Sequence, residues 1–163
     1  MHQTKQQDII NIFWDTDIFI DLLYGREPFY SDAFEVLQTT HATHLVLDIS
    51  VINYAYIVKL KPKDYSYLNE FLKQNFTIIS ANAKLLHLSL NLKFKDLEDS
   101  VQYLTAIEHN AQVFITRNTR HFKKLEDIIA SNKEQIIKVL TTQAKSTLSI
   151  PEILTPKQFV KSA

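Results

Sequence analysis

Short apolar, β-branched runs alternate along this chain with longer stretches of helical periodicity, and that alternation narrows the possible folds most. The short runs are Ile9 to Trp14, Leu45-Val46-Leu47, Phe76-Thr77-Ile78-Ile79, Val113 to Thr116 and Ile153-Leu154. After the first, Ile18, Phe19, Leu22 and Leu23 recur at helical spacing until Gly25, which is placed to stop the helix. Further helices are predicted over Ser31 to Thr40, over Val51 to Lys59 with Asp48 or Ser50 as cap, and over Asp64 to Asn75. Two more follow, Ala81 to Asn91 and Asp96 to His109, the second with Val101, Leu104 and Ile107 pointing inward. Leu125 to Thr147 reads as a polar helix with a stripe of Ile128, Ile129, Ile136, Ile137 and Leu140, packed on the domain or forming an interface of its own. A terminal helix starts at Pro156. Strands joined by helices of about ten residues or more make βαβ units, so the expected fold class is α/β, with a mostly parallel central sheet covered by helices on both faces.

With 163 residues and 45% hydrophobic content, the chain has the length and apolar supply of one domain. Residues 1–8 are polar and read as a flexible N-terminal segment, leaving 9–163 as the domain. Lysine plus arginine and aspartate plus glutamate both total 18, so a polyanion would have to meet a local basic patch. The lack of cysteine removes disulfides, thiolate zinc sites and thiol nucleophiles, and fits a cytoplasmic protein. Charges break every apolar run well short of the roughly 20 residues a membrane span needs. One glycine is too few for a phosphate-cradling loop or a dinucleotide fingerprint.

Ligands of parallel sheets bind beyond the carboxyl ends of the strands. Asp15-Thr16-Asp17 follows the first apolar run, and Asp96-Leu97-Glu98-Asp99 opens the helix leading into the fourth. If those runs are neighbouring strands, Asp15 and Asp99 meet at one sheet edge, joined by Asn118, in a site suited to Mg2+ or Mn2+. Asp96 and Asp99 are three apart on one helical face, where they either cap the helix or turn one carboxylate to a cation. Each aspartate alone is more often a cap than a ligand, and the joint arrangement carries the weight. Asp17 is an outer partner of the site, and Asp21 is solvated or structural. Arg26, Arg117, Arg120, Lys123 and Lys124 either contact phosphates or form a solvated turn. Tyr54, Tyr56, Tyr65 and Tyr67 offer base-stacking surfaces, though their helical spacing favours core or interface. His41 and His44 lack a third metal ligand, and no serine has the glycine-flanked elbow of a hydrolase.

Asp15-Thr16-Asp17-Ile18-Phe19-Ile20-Asp21-Leu22-Leu23, Arg26, Pro28-Phe29, Asp96-Leu97-Glu98-Asp99, Ala106 and Thr116-Arg117-Asn118 with Phe122 together resemble the PIN domain. Ile150 to Pro156 with Phe159 looks like the end of that family's bacterial branch. The resemblance runs from about Ile10 to Phe159 and leaves an extra helical insertion around 125–147 that ordinary members lack. It implies a three-layer α/β/α sandwich and a metal-dependent endoribonuclease acting on single-stranded RNA, of the VapC toxin type. An antitoxin partner and a homodimer are implied with it. Asp15 and Asp99 then match metal ligands, and Asn118 falls where the fourth acidic or amide group stands. Asp96 serves as an outer group or orients the water, Thr16 orients the site, and Arg117, Arg120 and Lys123 meet the RNA.

Two positions depart from the pattern. Asn53 occupies the place of a glutamate and can ligate only through a neutral carbonyl, and His121 replaces an aspartate before Phe122. The expectation is a less negative site with weaker cation affinity. A PIN-derived binding module that has lost efficient cleavage is therefore the competing reading. A phosphatase or receiver-like domain would need a lysine and a phosphoacceptor that the strand ends do not clearly supply.

Overall fold

A computed structural model describes residues 9–140 and 148–162 of the chain. The expected N-terminal segment, 1–8, and the last part of the expected insertion, 141–147, lie outside the described residues. In chain order the elements are β1 (Ile10–Trp14), α1 (Thr16–Tyr24), α2 (Phe29–Leu37), β2 (Ala42–Leu47) and α3 (Asp48–Ile57). Then come α4 (Tyr65–Asn75), β3 (Thr77–Ile79), α5 (Ala83–Asn91), α6 (Leu97–Glu108) and β4 (Val113–Ile115). The described chain closes with α7 (Thr119–Ser131), α8 (Lys133–Val139), β5 (Glu152–Leu154) and α9 (Pro156–Ser162). Gly25 ends α1 in the left-handed conformation, φ 68°, which glycine adopts without a Cβ clash.

The strands form one sheet in the order β3-β2-β1-β4-β5, with all neighbours parallel. Because β1 is covered on both faces, its residues need no polar alternation: Ile12, Phe13 and Trp14 are all fully buried. On one face Ile12 and Trp14 pack with α1, α2 and Phe159 of α9. On the other, Phe13 packs with α5, α6, α7 and α8. Phe114 centres that second core, its ring 5.6 Å from Phe13, 5.2 Å from Tyr103 and 4.5 Å from Phe122. The result is the three-layer α/β/α sandwich expected.

Several local expectations change. The polar helix expected over Leu125 to Thr147 is two helices: α7 starts earlier, at Thr119, and the chain breaks at Asn132 before α8. Ile129 and Ile136 of its stripe are buried in the core and Leu140 packs against it, while Ile128 is exposed, so most of this face packs on the domain. Neither Asp48 nor Ser50 caps α3. Asp48 is its first residue, and Oδ1 accepts the backbone N–H of Ile49 and of Ala81, pinning α3 to the loop after β3. Tyr56, Tyr65 and Tyr67 are exposed rather than core. No helix among the described residues is long and apolar enough to cross a membrane.

Of the two histidines set aside as metal ligands, His44 has a structural role. His44 is buried, and its Nδ1 accepts the indole N–H of Trp14 at 3.1 Å, which requires the neutral ring. Burial lowers its pKa from 6.5 to about 4, against a backbone hydrogen bond to Leu37 that favours the proton. The unfolded histidine takes up a proton below about 6.5 and the folded one resists until about 4, so folding stability is unaffected above this window and falls as pH drops through it. The full effect is about 3 kcal/mol. His44→Asn keeps an acceptor for Trp14 without the titration, and the slope of unfolding free energy against pH between about 6.5 and 4 should fall by about one proton; urea titrations across that range measure it.

Candidate metal and nucleic-acid site

The chain runs β1 to β3 toward one edge and then crosses to β4 and β5 on the other side of β1, so the helices diverge between β1 and β4. Trp14 pairs with Ile115 in register, and Asp15 and Thr116 leave the two strands side by side. Thr116 Oγ1 donates to Asp15 Oδ2 at 2.7 Å and accepts the backbone N–H of Asn118 at 2.9 Å. A cavity of about 330 Å³ opens there, lined chiefly by Asp15, Asp17, Asn53, Glu98, Asp99 and Gln102. Thr16, Asp96 and Asn118 also face it.

Asp15 is 5% exposed and has no cationic side chain beside it among the described residues. Burial pushes its carboxyl up to about 7, with the charges of Asp99 and Asp17 adding and the Thr116 hydroxyl opposing. Asp99 is raised to about 6, first by burial, then by Asp96, Glu98 and Asp17, while His121 opposes with Nε2 at 3.0 Å. Asp96 is the N-cap of α6, its Oδ1 accepting the backbone N–H of Asp99 at 3.1 Å. Asn118 caps α7 by accepting from His121 N–H.

Two residues that sequence reasoning gave no role complete the wall. Glu98 Oε1 accepts the Thr16 hydroxyl at 3.0 Å and Asn53 Nδ2 at 2.9 Å. Gln102 Oε1 accepts the backbone N–H of Thr16 at 3.1 Å. They stand four apart on α6, a spacing that places them on one face and was visible in the sequence. Glu98 enters the cavity from α6 beside Asn53, which offers no charge from α3.

Among the described residues no three acidic or histidine side chains form a closed ligand cluster. The donors are hard carboxylate and amide oxygens around an open cavity. That suits Mg2+ or Mn2+, which keep several waters and need few direct carboxylates. The buried Asp15, with no cationic side chain beside it among the described residues, points the same way.

Of the expected basic contacts, Arg120 and Lys123 are exposed on α7 without an ion-pair partner among the described residues. Arg117 is placed differently. Its guanidinium lies 3.1 Å from Asp17 and 3.2 Å from Asp21, and stacks 4.6 Å over the Phe29 ring. Asp21 also meets Arg26 at 3.2 Å and is fully buried, so of its two expected readings the structural one applies.

A family model described as PIN domain matches residues 11–120. Among solved structures, the chain is similar to one in VapBC2 from Rickettsia felis bound to a DNA fragment from their promoter. That match has 23% identity and a TM-score of 0.52, covering 71% of this chain and 92% of the other. It is also similar to a chain of a toxin–antitoxin complex from Klebsiella pneumoniae, with 25% identity and a TM-score of 0.50 over 68% and 89% of the two chains. The comparison with curated proteins returns no match.

The clamp makes a testable contrast. Asp21→Ala leaves guanidinium charge facing a buried gap and should cost about 3 kcal/mol, whereas Arg26→Ala, on a 41% exposed partner, should cost under about 1 kcal/mol. Chemical denaturation of the two variants gives both values.

Proposed function

The chain belongs to the PIN domain family, and from that premise we propose that it is a metal-dependent endoribonuclease that hydrolyses phosphodiester bonds of single-stranded RNA, as the toxin of a toxin–antitoxin pair. The single observation that carries this reading is the cavity shared by Asp15 and Asp99, two carboxylates remote in the chain whose pKa values burial, first, and acidic neighbours raise. Such a pair is poised for a divalent cation.

Asp15 and Asp99 would hold Mg2+ or Mn2+. Asn53 would add its carbonyl, since the amide nitrogen already donates to Glu98. The bound cation supplies charge neutralisation at the phosphate and an acidified water. The chain's own groups do the rest. Thr116 and the Asn118 backbone fix the Asp15 carboxylate. Asp96 uses one oxygen as a helix cap and keeps the other for orienting water at the mouth of the cavity. Arg120 and Lys123 project from α7 as phosphate contacts that fix position without reading bases.

The likeness to the Klebsiella pneumoniae toxin–antitoxin complex supports a protein partner. Tyr24 on α1 and Ile52, Tyr56 and Ile57 on α3 are all more than half exposed, and Ile57 reaches the cavity. An antitoxin covering them would bury apolar surface and close the site together. A homodimer accords with the same family.

Purified protein, a generic single-stranded RNA and MnCl2 test the assignment. Cleavage should fall by at least about 100-fold in Asp15→Asn and in Asp99→Asn, with RNA binding kept. RNA left intact by the unaltered protein, yet still bound, would mark a binding module instead.

A further inference from the structure

We propose that Glu98 on α6 supplies the cation-holding carboxylate that Asn53 on α3 lacks, an inference that rests on the reading of this cavity as a divalent-metal site. A neutral amide attracts a hard cation far less than a carboxylate does. Glu98 reaches the same spot from the facing helix, with Oε1 2.9 Å from Asn53 Nδ2 and 3.0 Å from Thr16 Oγ1. Thr16 has one hydroxyl proton, and giving it to Glu98 makes Ser50, 2.6 Å away, the donor to Thr16. Ser50, Thr16 and Asn53 therefore form a relay of donors ending on one oxygen of Glu98. The other oxygen makes no hydrogen bond among the described residues.

The two positions are complementary. A glutamate at position 53 would set two carboxylates at hydrogen-bond distance, and the amide converts that repulsion into a bond. One carboxylate serves the site, carried by the other helix.

Gln102 points independently to a ligand. It is fully buried, and its Oε1 must face the Thr16 N–H, because that group can only donate. The amide orientation is thereby fixed, and Nε2 is left in the cavity wall with no partner. A buried donor of this kind calls for an oxygen, which water or phosphate in a loaded site provides. Glu98 and Gln102 thus present an acceptor and a donor to the cavity from adjacent turns of α6.

Calorimetric titration of the full chain with MnCl2, without RNA, tests the assignment. Glu98→Gln keeps the acceptor for Thr16 and Asn53 while removing the charge. Its Mn2+ affinity should fall at least about 10-fold, and the Mn2+-induced rise in Tm should shrink. Asp96→Asn removes one charge from the same cavity and keeps a competent cap, and should cost less than about threefold. Equal losses in the two variants would reduce Glu98 to diffuse electrostatics and overturn the inference. Unchanged affinity in Glu98→Gln, with binding lost in Asp15→Asn, would overturn it and leave the metal site standing. An unaltered protein that binds no Mn2+ would remove both.

Discussion

The candidate site depends on β1 lying between β2 and β4 with its carboxyl end level with theirs. Trp14 pairs with Val46 on one side and Ile115 on the other, and Asp15 extends the second ladder by donating its N–H to the Ile115 carbonyl at 3.0 Å. That ladder leaves Asp15 no freedom to move away from Thr116. The strand can occupy the centre only because both its pleats are apolar, and the aromatic stack of Phe13 on Phe114 locks the β1–β4 pair from beneath.

Two buried carboxylates at opposite ends of α1 show how charge is divided between structure and chemistry. Asp21 is answered within the fold by Arg26 and Arg117, so its negative charge is spent on holding α1 against the turns that follow it and β4. Asp15, at the other end, receives a hydroxyl and the repulsion of its acidic neighbours. Burying a carboxylate without a counter-charge opposes folding, so a site that keeps one is held open for something outside the chain.

The sequence made the alternation of strands and helices legible, because each buried run is short and apolar and each helix keeps its period. It also singled out Asp15, Asp99 and Asn118, since strand ends and helix starts are where a parallel sheet offers its ligand groups. Where tertiary partners decide, local reading fell short. β2 begins at Ala42 because Ala42, Thr43 and His44 pair with Ile10, Asn11 and Ile12, although their own composition is polar. Whether Arg117 would turn outward or inward depends on Asp21, a residue remote in the chain that the pairing of β1 with β4 brings beside it. The exchange of a carboxylate from α3 to α6 at Asn53 and Glu98 was hidden for the same reason: the two helices meet only in three dimensions.

The Arg117 clamp ties the loop after β4 to α1, and the Asp15 wall of the cavity and the start of α7 are carried by that same pair of elements. Asp15 and the basic residues at the start of α7 are therefore anchored to one another through the fold, at a set spacing. A strand of nucleic acid laid across them would meet a ruler rather than a closing jaw, and strands would be told apart by how readily their backbone bends to fit.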